Sequence, residues 1–294
     1  MRSDARSLGG LRVAALAALL LALLPWLTAC TGDDLDAVDP PVVLQDPSDA
    51  SEGSRDDAPA SATRERDSLV LEFPGGSTEE LLTNSGDRHL LVSHVSSADG
   101  EIASVSDAPD GQALRFPRYD PKGEDFAILK VRSRGLDDLL SPGRRSFVFG
   151  ADVAMDDVTT GTASDNGDNL VQRGLYESSS QYKIQVDDGA VSCRVAGLLG
   201  EVLVYGPYRL QPDDWYRIRC HREGDSVTLA VAPLSARGPG RWESRSETGR
   251  IGPVLMAADM PMSVGGKLSW SGELLPSSTD QFNGRVDRVY YHRD

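Results

Sequence analysis

Tyr182-Lys183-Ile184-Gln185-Val186-Asp187-Asp188-Gly189-Ala190-Val191-Ser192-Cys193-Arg194-Val195 is the stretch whose reading decides the fold. Apolar and polar residues alternate from Tyr182 to Val186, so they take opposite faces of an extended strand. Asp187-Asp188-Gly189 then offers residues that tolerate the backbone of a tight turn, and a second strand, Ala190–Val195, follows. The stretch predicts a β-hairpin. A second hairpin is predicted further on, where His221–Gly224 and Asp225 separate Trp215–Cys220 from Val227–Val231.

Outward from these hairpins the same grammar repeats. Short runs occur at Leu69–Phe73, His89–Val95, Gln112–Phe116, Phe126–Val131, Arg145–Met155, Leu170–Gly174, Glu201–Tyr205, Met262–Gly265 and Arg285–His292, parted by Gly, Pro, Asp and Ser. Only Ser77–Asn84 suits a short helical turn. Many short strands with frequent turn signals predict an all-β domain over residues 68–294, a two-sheet antiparallel jelly-roll sandwich.

The N-terminal part reads differently. Arg2, Arg6 and Arg12 stand against a single acid, Asp4, and an apolar run extends from Val13 to Leu27. That run is shorter than the roughly 20 residues a spanning helix needs, so residues 1–29 read as a cleaved signal peptide. Leu27-Thr28-Ala29-Cys30 resembles the bacterial lipobox, which implies lipidation of Cys30 and a lipid anchor in the outer face of the bacterial cytoplasmic membrane. Residues 30–67 carry eleven acids and three bases among Asp, Ser, Ala and Pro. Such a segment buries too little apolar surface to offset its ordering entropy, so it reads as an acidic, disordered linker.

The chain's formal net charge of −15 argues against nucleic acid as a partner, since phosphates demand Lys and Arg. Cys193 and Cys220 form an even pair in an exported domain, which reads as a disulfide; a metal or nucleophilic thiol is the alternative.

A series of segments resembles the concanavalin A-like lectin and glucanase superfamily, and its laminin G-like branch in particular. It runs through Ser146–Val153, Asn169–Gly174, Tyr182–Val186, Val191–Val195, Asp213–Cys220, Val227–Val231, Met262–Lys267 and Phe282–Tyr290. The resemblance implies that Gln112–Phe116 pairs with the closing strand. It also implies a structural Ca2+ ion on the convex side, held by Asp287 with Glu72 and the carbonyl of Gly111. The superfamily's glycosidases carry Glu-x-Asp-x-x-Glu, a run this sequence lacks; Glu243 and Glu247 fall in a segment read as a loop. A lyase would use residue types such as Gln172, Arg173, Tyr176, Gln181 and Tyr182. Sugar binding would add exposed rings, for which Trp242 and Trp270 are suited, with Trp215 assigned to the core. The expected ligand set is therefore Gln172, Arg173, Tyr176, Tyr182, Trp242 and Trp270. The expected function is a non-catalytic module that binds a glycan or cell-envelope component. A polysaccharide-degrading enzyme and a structural or protein-adhesion module are the alternatives.

Overall fold

The computed structural model describes residues 69–71, 90–119, 125–135, 137–157 and 167–294. The signal peptide, Cys30, the acidic linker, Glu72 and the Ser77–Asn84 turn lie outside the described residues. Among those described there is no helix. The strands are β1 (Leu69–Leu71), β2 (Leu90–Ser97), β3 (Ala103–Ala108), β4 (Gly111–Arg115), β5 (Phe126–Ser133) and β6 (Phe147–Met155). Then come β7 (Asp168–Arg173), β8 (Gln181–Asp187), β9 (Ala190–Gly197), β10 (Gly200–Arg209), β11 (Tyr216–Glu223) and β12 (Ser226–Ser235). The last are β13 (Gly238–Pro239), β14 (Glu243–Thr248), β15 (Met262–Val264) and β16 (Gly284–Arg293).

These strands form two antiparallel sheets. The back sheet has nine strands, in the order β13-β12-β11-β6-β16-β4-β3, with β1 beside β16 and β14 beside β12. The front sheet has seven, in the order β10-β9-β8-β7-β15-β5-β2. Both predicted hairpins form. Asp188 and Gly189 both take positive φ, 49° and 74°, and close β8 onto β9 with Asp187 opposite Ala190. Gly224, at φ 58°, closes β11 onto β12. The closing strand β16 pairs with β4, as the resemblance implies, with Val286 opposite Leu114.

One strand contradicts the sequence reading. Glu243–Thr248 is not a loop but β14, paired with β12 from Val231↔Glu243 to Ser226↔Thr248. Every residue of it is exposed, so it has no buried face to leave a period-two pattern.

The core lies between the sheets. Phe147, Phe149, Tyr182 and Tyr291 pack ring against ring there, with centroids 5.0 to 6.1 Å apart. Burying such rings contributes about 1.5–3 kcal/mol each by apolar transfer. Cys193 of β9 and Cys220 of β11 are joined by a disulfide through this core, so the bond staples the front sheet to the back one. Trp215 is only half-buried, its Nε1 donating to the carbonyl of Asp107 at 3.1 Å; the core position of that strand belongs to its neighbour Tyr216.

Candidate functional site

Strand register builds a single row of side chains across the outer face of the front sheet. Leu203 lies opposite Arg194, Arg194 opposite Lys183, and Lys183 opposite Gln172. Gln172 then lies opposite Ser263, Ser263 opposite Lys130, and Lys130 opposite Ser93. The row crosses all seven strands and six of its seven members are polar. Because side chains alternate, the next row along belongs to the core: Val195, Tyr182, Arg173, Met262 and Val131.

The row passes under a cavity of about 170 Å³. Gln172, Gln181 and Lys183 line it from the strands, Tyr176 and Glu177 from the β7–β8 turn, and Lys267 and Asp280 from the segment after β15. The turn leaves β7 through Gly174, at φ 90°, where a Cβ would stand 2.4 Å from the carbonyl oxygen of Ser180. Only glycine fits that approach. The amide nitrogens of Gln172 and Gln181 both donate to the Gly174 carbonyl, at 2.8 and 3.0 Å. Asn169 donates to Gln172 Oε1 at 2.8 Å and to Asp280 at 3.1 Å. Arg194 donates to Gln181 Oε1 and to Glu201, and its guanidinium lies 4.8 Å from the centre of the Tyr176 ring. Tyr176 itself is 75 % exposed, so its other face is open to solvent. Lys267 donates to Asp280 at 2.9 Å and to Ser278. Burial lowers the pKa of Lys183, opposed by the charge of Asp280.

The predicted ligand set is thereby divided. Gln172 and Tyr176 meet at the cavity. Trp270, half-exposed, lies in a loop anchored to the same face, where Lys130 donates to the Gly272 carbonyl at 3.3 Å and Arg132 to that of Ser271. Trp242 is on the other sheet, with Arg219 5.5 Å from its ring centre. Two assignments are corrected. Tyr182 is fully buried among aromatic rings and donates to the Leu140 carbonyl at 3.1 Å. Arg173 is buried too, paired with Asp138 at 2.9 Å and donating to the carbonyls of Met260 and Ala257. Neither is open to a ligand from the outer face. Lys183, Arg194 and Lys267 went unassigned, although the alternation in Tyr182–Val186 already sets Lys183 opposite in direction to Tyr182.

On the back sheet Asp152 and Asp287 lie opposite each other across β6 and β16. Asp152 is fully buried and accepts two hydrogen bonds from Arg217, at 2.6 and 2.5 Å; burial still raises its pKa. Asp287 accepts the backbone N–H of Arg288 at 2.7 Å in a bulge between Asp287 and Tyr290. Its carboxyl also meets that of Asp110, and burial together with this neighbour pushes its pKa up to about 7. Gly111, beside Asp110, opens β4 and is exposed. No group of three or more His, Cys, Asp or Glu has metal-holding geometry among the described residues.

No family model matches the chain, and no curated protein matches it in sequence. Solved structures match in shape. The binding domain of botulinum neurotoxin serotype G superposes with a TM-score of 0.51 at 8 % identity, over 76 % of this chain and 47 % of that one. The chain thus spans about half the length of that relative. Domain 4 of an extracellular arabinanase from Geobacillus stearothermophilus, solved with arabinotriose, matches at 0.48 and 13 % identity, over 78 % of this chain and 93 % of that one. The LG1-3 region of the laminin alpha2 chain matches at 0.40 and 10 % identity, over 51 % and 30 %. At such identities the likeness is one of fold, a two-sheet β-sandwich.

Proposed function

We propose that residues 68–294 form a non-catalytic, laminin G-like module that binds a glycan on the outer face of its front sheet. A lipid on Cys30 holds the module on the outer face of the bacterial cytoplasmic membrane. The observation that carries the reading is the polar row that crosses the front sheet beneath a cavity walled by the exposed ring of Tyr176. Saccharides are held by an aromatic face together with a few convergent polar groups, and this face offers both. Of the nearby carboxylates, Asp280 is engaged by Lys267 and Glu201 by Arg194, and Glu177 of the exposed turn stands apart from them, whereas glycosidases use a facing pair, which favours binding over hydrolysis.

A glycan array followed by calorimetry tests this reading. Binding is expected to at least one oligosaccharide, weakened about tenfold by Tyr176→Ala, in line with the worth of one aromatic contact. It should be unchanged by Trp242→Ala on the opposite sheet. Absence of binding to every glycan would overturn the proposal. Loss of the protein from membrane fractions on Cys30→Ala tests the anchor.

A structural calcium ion beside Asp287 belongs to the same proposal, with Glu72 and the Gly111 carbonyl as further ligands. What supports it is donor chemistry: two carboxyls, Asp287 and Asp110, already face each other, and hard oxygen donors suit this cation. Calcium is then expected to raise the melting temperature at neutral pH, and Asp287→Asn to abolish the rise.

A further inference from the structure

The basic residues of this chain are unevenly chosen. It has 26 arginines and four lysines, yet three of the four lysines belong to the front face: Lys130 and Lys183 in the row, Lys267 in the cavity wall. An ammonium is a compact point charge with three donors that can turn to suit an acceptor, unlike the planar guanidinium fork.

Two of the three are engaged. Lys130 donates to a backbone carbonyl, and Lys267 is paired with Asp280. Lys183 is different. It is half-buried on the cavity floor and has neither a hydrogen-bond acceptor nor an ion-pair partner among the described residues. Its flanking amides cannot easily serve it, since Gln172 Oε1 already accepts from Asn169 and Gln181 Oε1 from Arg194. Of its charged neighbours, Asp280 raises its pKa and is already paired with Lys267, while Lys267 and Arg194 lower it further. A partly desolvated ammonium whose main counter-charge, Asp280, is already paired with Lys267 gains from an anion that arrives to pair with it. The cavity wall holds two carboxylates, Asp280, already paired with Lys267, and Glu177, exposed in the turn, so the half-buried ammonium of Lys183 is left for an acceptor-only group to complement.

We infer that the Lys183 cavity takes an oxyanion carried by a saccharide, a uronate carboxylate or a sulfate ester, so that the glycan bound by this face is an acidic one. The inference rests on the glycan-binding reading above and narrows it to a ligand class. The chain's net charge of −15 does not exclude such a ligand. Exposed charges further away than about 8 Å are largely screened at physiological salt, so the distant acids that make up most of that charge act weakly on this cavity. Tyr176 would flank the ring of the same sugar, with Arg194 behind it fixing the ring's tilt.

The test is calorimetry of the protein with tetragalacturonate, a sulfated galactan tetrasaccharide, and neutral maltotetraose and arabinotriose. At least one acidic oligosaccharide is expected to bind ten times more tightly than either neutral one, and its affinity to fall with rising salt. Lys183→Gln should lower that affinity on the order of tenfold, since hydrogen bonds to charged groups are the strong ones, while Lys183→Arg should retain most of it. Which acidic probe binds separates the carboxylate source from the sulfate source. Equal or tighter binding of a neutral oligosaccharide, or an acidic affinity untouched by both salt and Lys183→Gln, overturns the inference and leaves glycan binding standing. Absence of binding to all four overturns it together with the broader reading. The salt dependence is read on the unmodified protein, so the test does not hang on the variant's folding.

Discussion

On the back sheet, Arg217 and Asp152 meet across β6 and β11 in a two-pronged pair. On the front sheet, Lys183 stands between Gln172 and Arg194 with no direct ion pair, the nearby Asp280 being taken by Lys267. Both are charged groups on outward strand positions, and both are largely withdrawn from water. The first is closed: its charges answer one another within the fold. The second is open, and the fold carries its cost. A charge kept paired serves stability, whereas a charge kept unpaired beneath a cavity is available to something outside the molecule.

That contrast can be broken at four points. The largest expected effect is on the closed side: Arg217→Ala leaves Asp152 buried without its hydrogen-bonding partner, with only the charge of Arg288 still acting on it, which costs about 3–5 kcal/mol. Urea unfolding should show it, and a loss below 1 kcal/mol would mean that Asp152 is protonated or reached by water. Next comes the staple between the faces. Replacing Cys193 and Cys220 together by Ala is expected to cost roughly 2–5 kcal/mol, read in the same experiment with the reduced wild type alongside.

A third effect comes from Asp287, and its sign follows from its raised pKa of about 7. Unfolded, an aspartate titrates near 4, so between about pH 4 and 7 the folded state holds a proton that the unfolded state has released. The stability this confers is fully present below about pH 4 and is lost as the pH rises through about 7. Melting temperatures in chelator should therefore decline across that window, and Asp287→Asn should flatten the decline. The smallest effect is the mirror of the first. Lys183→Gln removes an unpaired, partly desolvated charge, so its melting temperature should stay level or rise by a degree or two. A marked drop would mean that Lys183 has a partner in the fold and belongs with the closed side.

The hairpins were legible because their signals are local. Alternation in Tyr182–Val186 and the Asp-Asp-Gly turn need no distant partner to be read, and β8 and β9 formed where they pointed. β14 was illegible for the converse reason: with all six side chains in solvent, its register with β12 rests on the backbone ladder and one exposed side-chain bond, Thr228 to Ser246 at 2.8 Å. The site was half legible. Gln172 and Tyr176 were found, while Arg173 and Tyr182, their neighbours in sequence, point the other way. Chemistry made Arg173 attractive as a ligand residue; its bonds to Asp138 and to the carbonyls of Met260 and Ala257 come from segments far off in the chain. A strand offers its residues to two opposite environments in turn, so choosing by residue type without parity misplaces half of them.

Trp215 and Tyr216 show the same parity error on a smaller scale, the less conspicuous ring taking the interior. Gly150 shows its cost. It lies beneath Tyr290, and a Cβ there would come within 2.5 Å of the phenol oxygen, which instead donates to the Ile218 carbonyl at 3.2 Å.

The Cys193–Cys220 bond also has a mechanical meaning. Cys193 is the residue before Arg194 of the polar row, and Cys220 sits in β11, two strands from β16. The chain enters the described fold at β1, which is itself clasped to β16. A pull between that entry and a ligand on the front face must pass from one sheet to the other. Packed side chains can slide under such a load, but a covalent bond set one residue from the grip transmits it without slip.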